Sequence, residues 1–369
     1  VCRELCKITG ATIKTESIYN HLAGVLLGTA IGDALGLYME GLSGKTISTW
    51  FPHAIDRYYL LDNIGFVSDD TEQSALVAQS IVSAPNDIRA ATKAFKIAML
   101  GWFFRLPFGV GQATSLSCLK MLTGAKQTGI HSAGNGAAMR AAIIGVFYHD
   151  NQEYRIKIGE SIARTTHLDK RATDGALFVA ELAAAAYTNR QCKDQASRYN
   201  AFDTAINVIQ ETWLREALDL ARSLAEQQAS IEAAAQQLGC SGFVNHSVAL
   251  AAFAFLRWGD DTLTALQWTI KAGGDTDSNA AIVGAWCGAL HGEEGLPSQL
   301  INKINDGPFG PSHLRKLARA LGDIKYGKSP AAVGYCWPIA LGRNVVLIPF
   351  IISHALLRQL RQATTSLHP

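Results

Sequence analysis

The sequence predicts an all-α protein, and three observations carry that expectation. Residues 71–82, 174–187, 213–226, 246–258 and 279–290 are rich in Ala and Leu, and their apolar side chains recur every three or four positions. No convincing run alternates apolar and polar residues at a spacing of two. No Asn-Gly or Asp-Gly pair joins two such runs as a hairpin. With 369 residues, 48% hydrophobic and 17% charged, the chain can bury a sizeable core. No linker rich in Pro, Gly and Ser divides it. The expected organisation is an N-terminal extension over residues 1–19, one multi-helix domain over 20–325, and an apolar C-terminal extension over 326–369, packed on the core or membrane-associated.

The elements follow in order. The start, VCRELCKITGATIKTES, lacks the basic-then-apolar pattern of a secretory signal. Residues 22–37 form the first expected helix. Gly24, Gly28, Gly32 and Gly36 fall every four residues and make one stripe along it. Interior glycine costs about 1 kcal/mol against alanine, so four in register imply another backbone packed close along that stripe. Membrane helices use the same device. Here Asp33 interrupts the run, which is shorter than the roughly 20 apolar residues a span needs. Asp33, Gly36 and Glu40 share one face if the helix continues, with Glu40 free at its end.

Next comes GFVSDDTEQSALVAQ, which sets Ser68, Asp69 and Asp70 directly before a helix. A second cluster, KAGGDTDSNA, repeats the form far along the chain with Asp275, Asp277 and Ser278. Helix capping accounts for part of each: Asp69 with Glu72 fits a capping box, and Asp275 can cap through Ser278 in the same way. A cap needs one acceptor, however, and each cluster carries two acids and a hydroxyl. Hard oxygen ligands without His or Cys suit Mg²⁺ or Mn²⁺. Two such helix starts facing each other would make a two-metal site. Without cations, carboxylates gathered this closely would raise each other's pKa.

Between these clusters, HSAGNGAAMR (residues 131–140) is a Gly-rich loop that opens an Ala-rich helix. Backbone N–H groups in such a loop, with a helix dipole behind them, bind phosphate. Ser132 and Asn135 add side-chain donors. Residues 184–230 are more polar and are expected to carry an exposed loop. At the other end, residues 331–357 contain a single charged side chain, Arg343. Pro338, Pro349, the Gly-Arg-Asn break and His354 argue for two short helices packed on the core, with an interfacial or re-entrant membrane anchor as the alternative.

Charge and cysteine usage narrow the classes further. The formal net charge is +2, from 33 basic and 31 acidic residues, and no basic cluster offers a nucleic acid footprint. Seven scattered cysteines include no CxxC pair, which argues against a disulfide framework or structural zinc site and for a reducing, cytoplasmic compartment. Cys2 and Cys6 share a helical face but are read as unbridged thiols.

Taken in order, GVLLGTAIGDALGLYME, SDDTEQSALVAQSIV, SAGNGAAMR, ARTTHLD and AGGDTDSNAAIVGAWCGALHG resemble the motifs of the ADP-ribosylglycohydrolases. The resemblance runs from Asn20 to about Leu300 and implies a compact all-helical fold. It also implies two Mg²⁺ or Mn²⁺ ions, held by Ser68, Asp69, Asp70, Asp275, Asp277 and Ser278. Many members carry threonine at one or both hydroxyl positions; serine keeps the oxygen. Ser132, Gly134, Asn135 and Gly136 match the loop that cradles a diphosphate, and Gly274 falls on the ligand side of its motif. His167 matches a histidine associated with the adenosine part.

The implied activity is hydrolysis of the bond between the anomeric carbon of ADP-ribose and a modified protein side chain, with ADP-ribose as product. Metal-activated water would attack that carbon, and carboxylates would stabilise an oxocarbenium-like transition state. Asp70, Glu40 and Asp277 are the candidate catalytic acids, with Asp70 or Glu40 as the proton acceptor. The residues alone leave two alternatives: an ADP-ribose-binding relative without turnover, and another two-metal hydrolase such as a phosphodiesterase. Arginine, serine and O-acyl linkages all remain open.

Overall fold

A computed structural model describes residues 17–61 and 63–366; Cys2, Cys6 and the rest of residues 1–16 lie outside them. Seventeen α-helices follow one another among the described residues. They are α1 (Ile18–Gly36), α2 (Gly44–Trp50), α3 (Asp69–Ser83), α4 (Ile88–Phe103), α5 (Gln112–Leu122), α6 (Ala142–Phe147), α7 (Gln152–Ala163), α8 (Lys170–Thr188) and α9 (Gln195–Ala205). The series continues with α10 (Thr212–Glu226), α11 (Ile231–Leu238), α12 (Val244–Trp258), α13 (Thr262–Lys271), α14 (Thr276–His291), α15 (Ser298–Ile301), α16 (Pro311–Lys325) and α17 (Trp337–Ser366). Sheet is lacking among the described residues; isolated bridges such as Ser43 with Gly273 and Ile130 with His167 tie loops together. The all-α expectation holds.

α1 and α14 form the axis of the fold. α1 starts at Ile18, capped by the Ser17 side chain, so the helical body begins inside the expected N-terminal extension. The glycine stripe has the role its spacing implies. A Cβ on Gly24 would lie 2.4 Å from the Gly288 carbonyl oxygen, one on Gly28 2.0 Å from that of Gly284, and one on Gly32 2.1 Å from that of Ala280. On Gly36 it would meet the Thr276 oxygen at 2.4 Å. Partners descend by four as the stripe ascends by four, so the two helices run antiparallel at backbone contact. At that distance Cα–H groups face carbonyl oxygens directly, a weak attraction repeated along the seam. The apolar stretch Ile18–Met39 is 94% buried, which makes α1 the core helix of a packed domain.

Other helices close around this axis. α3, α6, α8, α12, α13 and α16 pack on α1 or α14. Trp286 of α14 donates its indole N–H to the Val179 carbonyl of α8 at 3.0 Å and lies edge-on to Phe178. The polar stretch 184–230 is mostly helical: α9 and α10 carry most of its polar residues on their outer faces, while Arg198 is buried.

The C-terminal region departs from the expected pair of short helices. It forms the single helix α17, with Pro349 in its interior. Pro338 occupies the first turn, where its missing N–H is not needed. Arg343 turns inward to pair with Glu72 of α3 and donates to the Pro308 carbonyl at 3.0 Å. Asn344 donates to the Arg105 carbonyl at 2.9 Å. Only 17% of the stretch Trp337–His354 is buried, and Ile339, Val345, Val346 and Ile352 are more than half exposed.

Gly28→Val should destabilise the protein by about 3 kcal/mol or more, because the side chain would meet fixed backbone. Gly101→Ala, in α4, places its methyl group in open space and should be neutral or stabilising by up to about 1 kcal/mol. Urea denaturation of both variants checks the contrast; equal midpoints would contradict the close α1–α14 contact.

Candidate active site

The antiparallel seam delivers the end of α1 to the start of α14. Thr276 Oγ1 donates to the Gly36 carbonyl at 2.9 Å and pins this junction. Just before it, Asp33 reaches from α1 to the start of α3. Its carboxylate accepts from the Ser68 N–H at 2.9 Å, the Thr71 N–H at 3.1 Å and the Thr71 hydroxyl at 2.5 Å. Asp33 thereby caps α3 from another helix. Burial pushes its pKa up to about 6 in spite of these bonds.

This arrangement corrects the capping readings of both clusters. Ser68 is the N-cap of α3, and Asp69 is its first helical residue. Glu72 does not turn back to close a capping box. It accepts from the Trp102 indole at 2.8 Å and from Arg105 at 2.7 Å, and pairs with Arg343. Asp275 occupies the N-cap position of α14 but makes no side-chain capping bond. Its Oδ2 accepts instead from Asn135 Nδ2 at 2.7 Å. The acids are therefore released from helix capping.

The two clusters meet at Asp70. Its Oδ2 accepts from the Ser68 hydroxyl at 3.3 Å and from the Ser278 hydroxyl, 208 residues away, also at 3.3 Å. Its Oδ1 is buried with no partner. Asp69 accepts from Gln73 Nε2 at 2.9 Å, and Asp277 from the Ser278 N–H at 3.0 Å. Burial raises the pKa of Asp69, Asp70 and Asp277 well above the ordinary 3.8. Neighbouring carboxylates raise them further: Asp70 and Asp33 act on Asp69, Asp33 and Asp275 on Asp70, and Glu40 and Asp275 on Asp277.

Among the described residues, no three His, Cys, Asp or Glu side chains converge closely enough to ligate one ion by themselves. The chemistry of the cluster still fits hard cations. Its donors are carboxylate and hydroxyl oxygens, one buried carboxylate oxygen has no partner, and the charges facing each buried acid are mostly other acids. Two glycines leave room beside them. A Cβ on Gly109 would lie 2.5 Å from Asp69 Oδ1, and one on Gly242 2.8 Å from Asp275 Oδ2.

A cavity of about 500 Å³ opens over the acids, within the roughly 300–1,000 Å³ usual for small-molecule sites. Glu40, Asp69, Asp275, Asp277 and Ser278 line it together with Ser132, Gly134, Asn135, Gly136 and His167. Glu40 is exposed to it, just beyond the short 3₁₀ turn that follows α1, with its pKa raised by surrounding protein and by the Asp275 carboxylate. Ser68, Asp70 and Gly274 lie behind the lining. Gly274 has φ +76°, and a Cβ there would meet the Cys240 carbonyl oxygen at 2.2 Å. It makes a tight backbone turn before α14.

The loop over residues 131–136 is held from below. The Asn135 N–H donates to the Gly242 carbonyl, and the Val244 N–H to that of Ala133, each at 2.9 Å. Asn135 Nδ2 also donates to Ser247 Oγ at 2.9 Å, so its side chain braces Asp275 and the loop and has no donor left for a phosphate. The loop leads into a single 3₁₀ turn, Asn135–Ala137, and α6 begins only at Ala142. The helix dipole expected directly behind the loop is therefore displaced. His167 is joined to the loop base by the Ile130 N–H to Thr166 carbonyl bond at 2.9 Å. It is 2% exposed.

Sequence reasoning missed Asp33 as a cap, and Gly109, Gly242 and Thr114 as cavity-forming residues. The PFGVGQ turn around Gly109 carried a local signal; Gly242 carried none.

Comparison with known proteins identifies the family. The ADP-ribosylglycohydrolase family profile matches residues 14–330. The chain is 29% identical over 311 residues to an uncharacterised protein of Archaeoglobus fulgidus, covering 81% of this chain and 95% of that one. It is 24% identical to the ADP-ribosylhydrolase ARH3 of Xenopus tropicalis, over 75% of this chain and 89% of that one. Identity to the ADP-ribosyl-[dinitrogen reductase] glycohydrolase of Rhodospirillum rubrum is 22%, over 78% and 92%. A solved ADP-ribosylglycohydrolase-related protein complex has the same fold, with a TM-score of 0.65 over 85% of this chain and all of that one, at 24% identity. The chain belongs to the ADP-ribosylglycohydrolase family, whose members hydrolyse linkages to ADP-ribose.

Proposed function

We propose that this chain removes ADP-ribose from a modified protein side chain, reversing mono-ADP-ribosylation, with two divalent cations, Mg²⁺ or Mn²⁺, as cofactor. The observation that carries the reading is Asp70, whose one carboxylate oxygen links the Ser68 and Ser278 hydroxyls and so joins the two acidic helix starts under one cavity. Ser68, Asp69, Asp70, Asp275, Asp277 and Ser278 would hold the ions. When bound, these would supply Lewis-acid charge that orients sugar hydroxyls and acidifies a water.

The protein's own groups divide the remaining work. Glu40 is the proton acceptor in this scheme, supported by its exposure to the cavity and its raised affinity for a proton. Asp70, set behind the lining, orients the serines. Asp69, Asp275 and Asp277 present negative charge to an anomeric carbon that becomes oxocarbenium-like at the transition state. The loop of Ser132, Gly134 and Gly136, with His167, would take the adenosine diphosphate end, and the fixed span of the cavity would orient the scissile bond over the acids.

Arginine-, serine- and acetyl-linked ADP-ribose, assayed with and without chelator, test the reading. Intact ADP-ribose should be released from at least one, and chelation should abolish the release. AMP as product, or release indifferent to chelator, would overturn it.

Glu40→Gln should lower kcat by roughly 10²–10⁴-fold with the fold intact by circular dichroism. Asp69→Ala combined with Asp277→Ala should abolish turnover, and retained release in that double variant would reject the scheme. Stability should also depend on pH in a set direction. The buried acids bind protons more tightly folded than unfolded, so the stability they lend is complete below the ordinary 3.8 and is lost as pH rises through their raised folded values. Chelated protein should therefore melt lower at pH 8 than at pH 5, and Mg²⁺ or Mn²⁺ should narrow that gap.

A further inference from the structure

One buried hydrogen-bond chain connects the acids to His167 through the protein. Gln73 Nε2 donates to Asp69 Oδ2 at 2.9 Å. Gln73 Oε1 accepts from Arg140 Nη1 at 2.5 Å, and Arg140 Nη2 donates to Thr166 Oγ1 at 2.6 Å. Thr166 Oγ1 lies 2.8 Å from His167 Nδ1. Gln73, Arg140, Thr166 and His167 are all at least 98% buried.

The donor inventory fixes the direction of every bond in the chain except the last. Arginine has only donors, so Arg140 fixes the carbonyl end of Gln73 and leaves its amide for Asp69. The same guanidinium occupies a lone pair of the Thr166 hydroxyl. That hydroxyl has one proton to give, and its acceptors are His167 Nδ1 at 2.8 Å and the Ala163 carbonyl at 3.4 Å. The shorter contact favours donation to His167, which makes Nδ1 the acceptor, without a proton. Burial and the Arg140 charge keep the ring neutral by lowering its pKa to about 3. A neutral ring with a bare Nδ1 carries its proton on Nε2. Nε2 borders the cavity: a Cβ on Gly134 would lie 3.4 Å from it, and one on Gly136 3.0 Å from the adjacent Cε1.

We propose that Arg140 and Thr166 are positioning residues that lock His167 in its Nε2–H tautomer, so that the cavity presents a neutral N–H donor beside the 131–136 loop to an acceptor atom of the ligand. That ligand being ADP-ribose rests on the function proposed above; the tautomer does not. The donor's direction is set from inside the core, and with no charge on the ring it selects for an acceptor's position more than for net charge.

Long-range ¹H–¹⁵N correlation spectra of the full chain with labelled histidine test this. The His167 signals should show a protonated Nε2 and an unprotonated Nδ1. Thr166→Val removes the hydroxyl and should move the Nδ1 resonance toward that of an unprotonated imidazole nitrogen with no hydrogen bond. It should weaken ADP-ribose binding in calorimetry by about tenfold, the loss expected for one buried hydrogen bond, and raise KM far more than it lowers kcat. Thr166→Ser should restore all three. An Nδ1–H pattern in the unaltered chain, or an unchanged spectrum and Kd in Thr166→Val, would overturn the proposal. The expected spectrum together with no ADP-ribose binding would uphold the tautomer lock and reject the ligand assignment instead.

Discussion

Three aspartates buried side by side, with carboxylates as their main electrostatic neighbours, are the constraint on which this structure turns. Burial and mutual repulsion both raise their proton affinity, and the arrangement is tolerable only if protons or cations share the site. The surroundings hold the acids in place without neutralising them. Serine hydroxyls flank Asp70, an amide holds Asp69, and Asn135 holds Asp275. Glycines at 109 and 242 keep space clear where any side chain would intrude. Glu72, by contrast, is compensated by two cations, Arg105 and Arg343, and stays out of the site.

This division of labour among acids explains how the chain builds a helix and a reactive cluster from the same residues. Aspartates at helix starts ordinarily serve the backbone. Here Asp33 of α1 takes over that task for α3, freeing Asp69 and Asp70 to face their counterparts on α14. The device needs α1 and α3 fixed relative to each other, and the all-round burial of α1 supplies that rigidity.

How much of this was readable from residues alone depended on whether the relevant spacing was local. The glycine stripe was readable because its period of four admits one face and one explanation. The two Ser/Asp clusters stood out because each exceeded what a cap requires. The capping boxes failed because the partners of Glu72, Trp102, Arg105 and Arg343, are remote in sequence. The use of the Asn135 amide was hidden for the same reason: Ser247 and Asp275 take its two N–H groups. The constraint on Gly274 is likewise remote, since its neighbour is the Cys240 backbone. In the C-terminal region, proline signals were read as breaks, whereas Pro338 falls in the first turn and Arg343 and Asn344 anchor the continuous helix to the core.

The seam between α1 and α14 also sets a timetable for synthesis. Gly36 and Thr276, which meet at its end, are 240 residues apart. At about 5–20 residues per second on the ribosome, α1 emerges roughly 12–48 s before the surface it must bury exists. For that interval the small-residue groove of α1 lacks the backbone it packs against, although α3 and α6, which also pack on α1 or α14, emerge earlier. The glycine face is covered by other contacts in the meantime, so closure of the seam is paced by translation as well as by diffusion.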